Sequence, residues 1–252
     1  MRRRSPAPPF RPDVPCHAPP AKAGGYTTHL DSPRPGDSVD PPFDLAVTDR
    51  LLTTTRAVRR RLDLSHPVER EVVLDCIRLS QQAPTGSNTQ GWAWLLVDDP
   101  EKRRSLGELY RELAEANIPQ ARQSHTMDAQ TARVYDSAEW LGRHLAEVPL
   151  LAIPCIREEF GGPSGNATAA AMYGSILPAA WSFQLALRSR GLGSAWTTLH
   201  LFREKEFAEL LGIPAGILQV ALLPVAYTKG TDFKAAKRRP PESITHWNHW
   251  QA

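Results

Sequence analysis

Apolar residues along the chain recur at two kinds of spacing, which predict both helices and strands. Repeats every three to four positions, such as Val72, Cys76 and Leu79, predict helices over residues 67–82, 100–116, 128–146, 167–190 and 204–211. The helix over 167–190 is apolar nearly all round, so we expect it at the centre of the fold, with a new segment or a kink at Pro178.

Short runs of aliphatic and aromatic residues, bounded by turn residues, predict strands between these helices. They cover residues 92–97, 150–156, 194–200 and 217–227. Long helices separate the strands, and no G-x-G-x-x-G follows a strand, so a Rossmann fold has no support. We therefore expect an α+β domain whose central mixed or antiparallel sheet is flanked by helices.

The first 44 residues differ in composition from the rest. They contain 11 of the 23 prolines and few large apolar residues. Such a segment buries too little surface to offset the entropy lost on ordering. We predict a disordered tail over residues 1–44 and a folded domain over residues 45–252.

The basic residues are concentrated in two distant segments. The formal net charge is only +3, from 30 basic and 27 acidic residues, which is too small a bias to indicate nucleic acid binding by itself. The fold could bring both segments to one anion or leave them apart as solvated surfaces. Their basic residues are Arg56, Arg59, Arg60 and Arg61 in the first basic segment (residues 56–61), and Lys234, Lys237, Arg238 and Arg239 in the second basic segment (residues 234–239).

Other features narrow the compartment and the chemistry. No apolar run is long enough to span a bilayer, and prolines stand where a secretory signal would have an apolar stretch. The three cysteines lie far apart without C-x-x-C spacing, which favours a reducing cytoplasm over a disulfide framework or a zinc site. His246 and His249 have helical spacing, but no acidic residue or cysteine adjoins them, so we expect no metal site.

Two further segments have the composition of binding loops. Residues 83–92 (APTGSNTQGW) place hydroxyls, amides and glycines between a helix and a strand. They could meet the polar edge of a flat heterocycle or form only a turn. Residues 191–199 (GLGSAWTTL) place glycines before a strand end, which allows either a close approach of ligand and backbone or ordinary helix-to-strand packing.

Taken in order with the two basic segments, these loops resemble the nitroreductase family of FMN-dependent oxidoreductases over about residues 51–250. Members typically carry Arg-x-Ser-x-Arg, then Ala-Pro-Ser-x-x-Asn-x-Gln-Pro-Trp, a Gly-Leu-Gly before a strand and a Lys/Arg pair near the C-terminus. This chain departs from that pattern at four positions. Thr55 and Ala57 replace the first arginine and the serine, Gly91 replaces proline, and Thr198 replaces an acidic residue that some members have.

The resemblance implies a set of FMN-binding residues. The two basic segments would meet the phosphate, while the loop and the strand end would meet the ring. Lys237 or Arg239 would also stabilise negative charge that develops on the reduced ring. The implied residues are Arg56, Ala57, Arg59, Arg60, Lys237, Arg238 and Arg239 in the basic segments, and Ser87, Asn88, Gln90, Trp196, Thr197 and Thr198 in the loop and the strand end.

The resemblance also implies the reaction. NADH or NADPH would reduce FMN by hydride transfer, and a nitroaromatic, quinone or similar small acceptor would then reoxidise it in a ping-pong cycle. No catalytic side chain is implied, because the flavin carries the chemistry. Members are usually homodimers with FMN between the subunits, and the apolar helix at 167–187 suits such an interface. The alternatives are a desaturase or a flavin-fragmenting enzyme on the same scaffold, or a basic nucleic-acid-binding module.

Overall fold

The computed structural model describes residues 42–124, 127–158 and 165–250. Within these ranges the chain forms six α-helices, five strands and four short 3-10 turns. The helices are α1 (Leu45–Thr54), α2 (Arg70–Ser80), α3 (Pro100–Gln123), α4 (Ala129–His144), α5 (Asn166–Ser189) and α6 (Glu204–Leu211). The strands are β1 (Trp92–Val97), β2 (Leu150–Arg157), β3 (Leu192–Ser194), β4 (Ile217–Gln219) and β5 (Leu223–Tyr227). The 3-10 turns cover Gly86–Asn88, Leu145–Glu147, Leu199–Arg203 and Pro241–Ile244.

The five strands form one antiparallel sheet, which confirms the expected α+β architecture. Their order is β1-β2-β5-β3, and β4 pairs with β2 as well. β1 pairs along β2 from Trp92 opposite Ile156 to Val97 opposite Leu151. β5 pairs with the first half of β2 and β4 with its second half. β2 is therefore the central strand of the sheet.

β2 separates two hydrophobic cores, because successive side chains of a strand point to opposite faces. Leu151 and Ile153 pack in one core with buried residues of α3 and α4. Leu150 and Ala152 pack in the other core with buried residues of α2 and α5. Helices consequently cover both faces of the sheet. We call the face under α3 and α4 the α3/α4 face, and the face under α2 and α5 the α5 face.

Two helices continue further than local sequence rules predict. α3 starts at Pro100, where the Asp99 side chain caps the Lys102 amide, and it extends to Gln123 instead of residue 116. α5 passes through Pro178 without starting a new segment. Buried residues lie beyond each predicted break, including Ile118 in α3 and Phe183 in α5. In α5 their burial outweighs the backbone hydrogen bond that Pro178 removes.

Two strand predictions are wrong in extent. The strand predicted over 194–200 ends at Ser194, and the one predicted over 217–227 is divided between β4 and β5. The backbone near residue 221 changes partners: the Val220 amide donates to Pro154 O at 3.0 Å, whereas the Leu222 amide donates to Thr197 O at 2.9 Å. Residues 217–227 are apolar enough throughout to predict one strand, but their backbone hydrogen bonds go to different neighbours, and this divides the strand in two.

The predicted tail over residues 1–44 lies outside the described residues up to position 41, so its disorder stays a prediction. α1 begins at Leu45, close to where we expect the folded domain to start. None of the helices in the described part of the chain is long and apolar enough to cross a membrane.

Candidate functional site

The first basic segment runs beside the end of the sheet. The amide of Val58 donates to Ser194 O at 2.8 Å, which ties the segment to β3. A Cβ at Gly193 would lie 2.7 Å from Thr228 Cγ2 and 3.0 Å from the Val58 side chain. Only glycine allows this approach, so the last glycine of the Gly-Leu-Gly motif packs the first basic segment against the sheet.

A cleft of about 390 Å³ opens where the two basic segments meet. Arg56 Nη1 donates to Lys234 O at 3.1 Å, which joins them directly. Asp232 is the lining carboxylate, and it is paired with Arg61 at 2.5 Å. We call this the anion cleft, because cations dominate its wall. It is lined by Arg56, Ala57, Val58, Arg59, Arg60, Arg61, Ser137, Asp232, Phe233 and Lys234.

Arg59 is a partly buried cation with a donor that the described chain leaves unused. Its Nη1 donates to Ser137 Oγ at 3.2 Å, while its buried Nε has no partner. Burial lowers the pKa of the Arg59 guanidinium below its usual value. A buried donor without an acceptor costs about 1–3 kcal/mol. A bound anion would supply the missing acceptor and offset the cost of desolvating the charge.

α4 forms the opposite wall of the anion cleft. Besides Ser137, it contributes Asp136 O, which accepts a hydrogen bond from Arg60 Nη2 at 3.3 Å. The Asp136 carboxylate is turned to Arg122, which lies 2.9 Å away. The oxygens that accept from Arg56, Arg59 and Arg60 are all neutral. The positive charges of these three arginines are therefore available to a bound anion.

The loop of residues 85–91 lies elsewhere, against the middle of α5. The Gly86 amide donates to Ser175 Oγ at 2.9 Å, and Trp92 Nε1 donates to Ser175 O at 2.7 Å. Three of its side-chain-bearing residues have left-handed backbone angles, with φ of 50° to 55°. They are Ser87, Asn88 and Gln90. Such angles are unfavourable for residues other than glycine, and strain of this kind is concentrated at functional sites.

Residues 196–198, which the sequence predicts to be a strand end, follow β3 and contact both faces of the sheet. Trp196 packs towards α5, in a cluster with Trp92 and Ile176. Thr197 points the other way: its hydroxyl donates to Leu222 O at 2.9 Å, and its side chain lies beside Tyr110 of α3. Burial raises the pKa of the Tyr110 phenol. Thr198 is exposed beside them.

The structure brings together only part of the predicted site. Arg56, Ala57, Arg59 and Arg60 line one cleft, and Thr197 reaches the same face through Tyr110. The loop residues Ser87, Asn88 and Gln90 belong to the α5 face. Lys237, Arg238 and Arg239 are exposed, and the second basic segment contributes Lys234 to the lining instead.

Sequence reasoning missed three residues near the anion cleft. Lys234 belongs to the second basic segment, but the family pattern points to Lys237, Arg238 and Arg239, which come after it. Ser137 and Tyr110 lie on helices without any motif, so no local signal could have found them.

Two other places in the described chain suit the predicted chemistry less well. A groove of about 560 Å³ between α3 and α6 is lined by four glutamates, Glu108, Glu112, Glu206 and Glu209, and its charge is wrong for a phosphate. No group of three His, Cys, Asp or Glu residues in the described ranges could hold a metal ion. His246 instead stacks on Trp250, with ring centroids 4.2 Å apart.

Comparison with known proteins identifies the family. The sequence profile described as Nitroreductase family matches residues 52–227. The chain belongs to the nitroreductase family. The match confirms the resemblance, and it makes the protein an enzyme of a family of FMN-dependent oxidoreductases.

Curated relatives of this nitroreductase-family chain include iodotyrosine deiodinases. The enzyme of Drosophila melanogaster is 31% identical over 169 residues, which cover 66% of this chain and 57% of the relative. Iodotyrosine deiodinase 1 of Homo sapiens is 28% identical over 198 residues, which cover 77% of this chain and 66% of the relative. The chain thus spans less than two thirds of these relatives' length.

Solved structures share the fold. One is the FMN-dependent nitroreductase NfnB from Mycobacterium smegmatis in complex with NADPH, with a TM-score of 0.58 and 18% identity, covering 82% of this chain and 100% of that one. Another is oxidized iodotyrosine deiodinase bound to FMN and 3-iodo-L-tyrosine, with a TM-score of 0.56 and 22% identity, covering 80% and 99%. At these identities the likeness establishes the nitroreductase fold alone.

Proposed function

We propose that this nitroreductase-family enzyme binds FMN and passes a hydride from NADH or NADPH to a nitroaromatic, a quinone or a similar small acceptor. The observation that carries the proposal is the anion cleft, in which the buried Nε of the partly buried Arg59 is an unused donor among the described residues. Bound FMN supplies the two-electron chemistry, and the protein binds, orients and polarises it.

The cleft residues fit the phosphate end of FMN. Arginine donors match the geometry of phosphate oxygens, and charge-assisted hydrogen bonds are the strongest that side chains form. Arg56, Arg59, Arg60 and Lys234 would hold the phosphate, and the Ser137 hydroxyl keeps Arg59 oriented towards it. Lys237, Arg238 and Arg239 stay candidates for further contacts at the end of the same segment.

The strand end would meet the ring system. The backbone and hydroxyl of Thr197 are occupied by Leu222, so Thr197 serves to hold the strand end in place. The exposed Thr198 is then the residue that would face the flavin, while Trp196 packs on the α5 face behind it. No side chain is assigned to general acid or base catalysis, because hydride transfer to and from a flavin needs none from the protein.

We also propose a homodimer with FMN between the subunits. The anion cleft lies on the α3/α4 face of the sheet and the loop 85–91 on the α5 face, so a second copy can bring its loop to the cleft. Ser87, Asn88 and Gln90 of the partner subunit would then meet the ring.

An exposed apolar stripe on α5 supports this dimer. Tyr173, Leu177 and Trp181 are spaced by four residues and are 38%, 38% and 42% exposed. Residues four apart share one face of a helix. α1 adds Leu45 and Leu52, about half exposed. A second copy that covers this surface would remove it from water.

The cysteines support a reducing compartment such as the cytoplasm. Cys76 and Cys155 are buried and unpaired, and burial raises the pKa of the Cys155 thiol to about 12. Neither forms the reactive thiolate readily. Thiol titration of denatured protein prepared without reductant should find both in the reduced form.

The decisive experiment compares Arg59→Ala with wild type. Wild-type protein should be purified yellow and release FMN on denaturation. Arg59→Ala should bind FMN about tenfold or more weakly, because a hydrogen bond to a charged group contributes about 1.5–3 kcal/mol. Arg78→Ala is the matched control, since Arg78 pairs with Asp75 on the exposed side of α2. Equal flavin content in Arg59→Ala and wild type would refute the assignment.

The similarity to iodotyrosine deiodinases favours one second candidate, reductive removal of iodide from an iodotyrosine-like substrate. Two assays on flavin-loaded enzyme distinguish these activities. Rapid oxidation of NADPH or NADH in the presence of a quinone supports hydride transfer to a small acceptor. Release of iodide from 3-iodotyrosine by the reduced enzyme supports deiodination. Absence of both would favour a desaturase or a flavin-fragmenting enzyme. A colourless protein whose affinity for nucleic acid falls steeply with salt would point to a basic binding module.

A further inference from the structure

Arg61 differs from the other arginines of the anion cleft because its partners include a carboxylate and an aromatic ring. Arg61 Nε donates to Lys229 O at 2.8 Å, and Nη2 donates to Asp232 Oδ1 at 2.5 Å. Its Cζ lies 4.2 Å from the centroid of the Phe233 ring. The Asp232 carboxylate offsets the charge of this guanidinium, and the two N–H groups used within the chain and the ring contact fix its position against the turn.

Phe233 also receives a second guanidinium. Arg188 Cζ lies 4.7 Å from the ring centroid, and Arg188 Nη2 donates to Thr231 O at 3.0 Å. Arg188 belongs to α5, whereas Arg61 belongs to the first basic segment. Arg61, Arg188, Asp232 and Phe233, here called the Phe233 cluster, therefore fix the turn of residues 229–233 to two separate parts of the fold.

The shape of the turn is adapted to Arg61. Gly230 has a φ of +76°, and a Cβ there would lie 2.7 Å from Arg61 Nη2. The backbone angle favours glycine here, and a Cβ would in addition displace the guanidinium of Arg61 from its place against the turn. The residue that follows the turn is Lys234, which lines the anion cleft and whose carbonyl accepts from Arg56. The Phe233 cluster consequently determines where the second basic segment enters the cleft.

We propose that Phe233 and Arg61 are positioning residues, which hold Lys234 at the anion cleft by fixing the turn 229–233 rather than by contributing charge to the anion. The inference rests on the proposed function only for the identity of the anion, FMN. If Arg61 acted through its charge, a lysine would replace it and the uncharged Phe233 would not matter. A lysine cannot reproduce the two directed donors and the stacking of a guanidinium.

Two variants that leave the charge of the cleft unchanged test the proposal, Arg61→Lys and Phe233→Leu. We expect each to weaken FMN binding about fivefold, as loss of a contact of cation–π strength would. Dissociation constants come from the quenching of flavin fluorescence. Phe202→Leu is the matched control, because Phe202 is exposed on the 3-10 turn Leu199–Arg203 and should bind FMN as wild type does. Wild-type affinity in both Arg61→Lys and Phe233→Leu overturns the proposal.

A second measurement needs no flavin. Trypsin cleaves after Lys229, Lys234 and Lys237, and a turn held by the Phe233 cluster resists it. Both variants should be cut in this region several times faster than wild type and Phe202→Leu under native conditions. Unchanged cleavage rates overturn the proposal. If wild-type protein takes up no FMN, the proposed function fails, while the trypsin rates still decide whether the cluster fixes the turn.

Discussion

His200 makes the stability of the fold depend on pH in the mildly acidic range. The residue follows the strand end on the 3-10 turn Leu199–Arg203, is 0% exposed and packs edge-on against Phe207 with ring centroids 5.4 Å apart. Neither ring nitrogen has a hydrogen-bond partner within residues 42–124, 127–158 and 165–250. Burial lowers the pKa of the His200 imidazole from 6.5 to about 4, because the protonated ring would be a charge without water or counterion.

The size of the effect follows from the two pKa values. The unfolded chain binds a proton at His200 below about pH 6.5, and the folded chain only below about pH 4, so acid favours the unfolded state throughout that window. A pKa difference of about 2.5 corresponds to a maximum loss of about 3.4 kcal/mol in the free energy of unfolding. At pH 5 the loss is already about 2 kcal/mol.

The assay is chemical denaturation of wild type and His200→Phe between pH 8 and pH 5. The phenylalanine keeps an aromatic ring against Phe207 and removes the titrating group. Wild type should lose about 2 kcal/mol more than the variant over this range. Carboxylates stabilised by ion pairs, such as Asp98 beside Arg70, lose that stabilisation only near pH 4 and below. Equal pH dependence of the two proteins would refute the argument.

Gly107, Ser175 and Trp181 each allow a further test of the packing, the loop and the dimer. Gly107→Ala would place a Cβ 2.6 Å from the Cβ of Ala146, so we expect calorimetry to show a lower Tm and a loss of about 1–3 kcal/mol from overpacking. Ser175→Ala removes the acceptor of the Gly86 amide, and hydrogen exchange at Gly86 should become about tenfold faster while the fold is kept, the equivalent of one lost hydrogen bond. Trp181→Glu places a charge on the exposed stripe of α5, so ultracentrifugation should show monomers where wild type forms dimers, with less bound flavin; a wild-type monomer would contradict the dimer.

The sequence predicts well those elements that depend on local pattern. β1 and α6 have the predicted bounds, since a short apolar run and a 3.6-residue repeat are each bounded by clear turn residues. The segments near residues 197 and 222 are different. Their conformation depends on hydrogen bonds between residues 25 positions apart, and composition carries no information on which partner a backbone amide selects.

The candidate site divides in the same way. Arg56, Arg59 and Arg60 could be selected from sequence because they form a compact motif that the fold keeps together. The environment that makes Arg59 suited to an anion comes from α3 and α4, which are distant from it in sequence and meet it only through the tertiary fold. Ser137 and Tyr110 therefore become visible as neighbours of Arg59 only in the folded chain.

Ser175 holds the loop 85–91 through its hydroxyl to Gly86, and it holds the first residue of β1 through its carbonyl to Trp92. Two positions before it and two positions after it on α5 stand Tyr173 and Leu177, which face outward. A displacement of this helix would therefore act on the loop at Gly86 and on the sheet at Trp92. The mechanical consequence is that pressure on the outer surface of α5 reaches both ends of the segment that carries Ser87, Asn88 and Gln90.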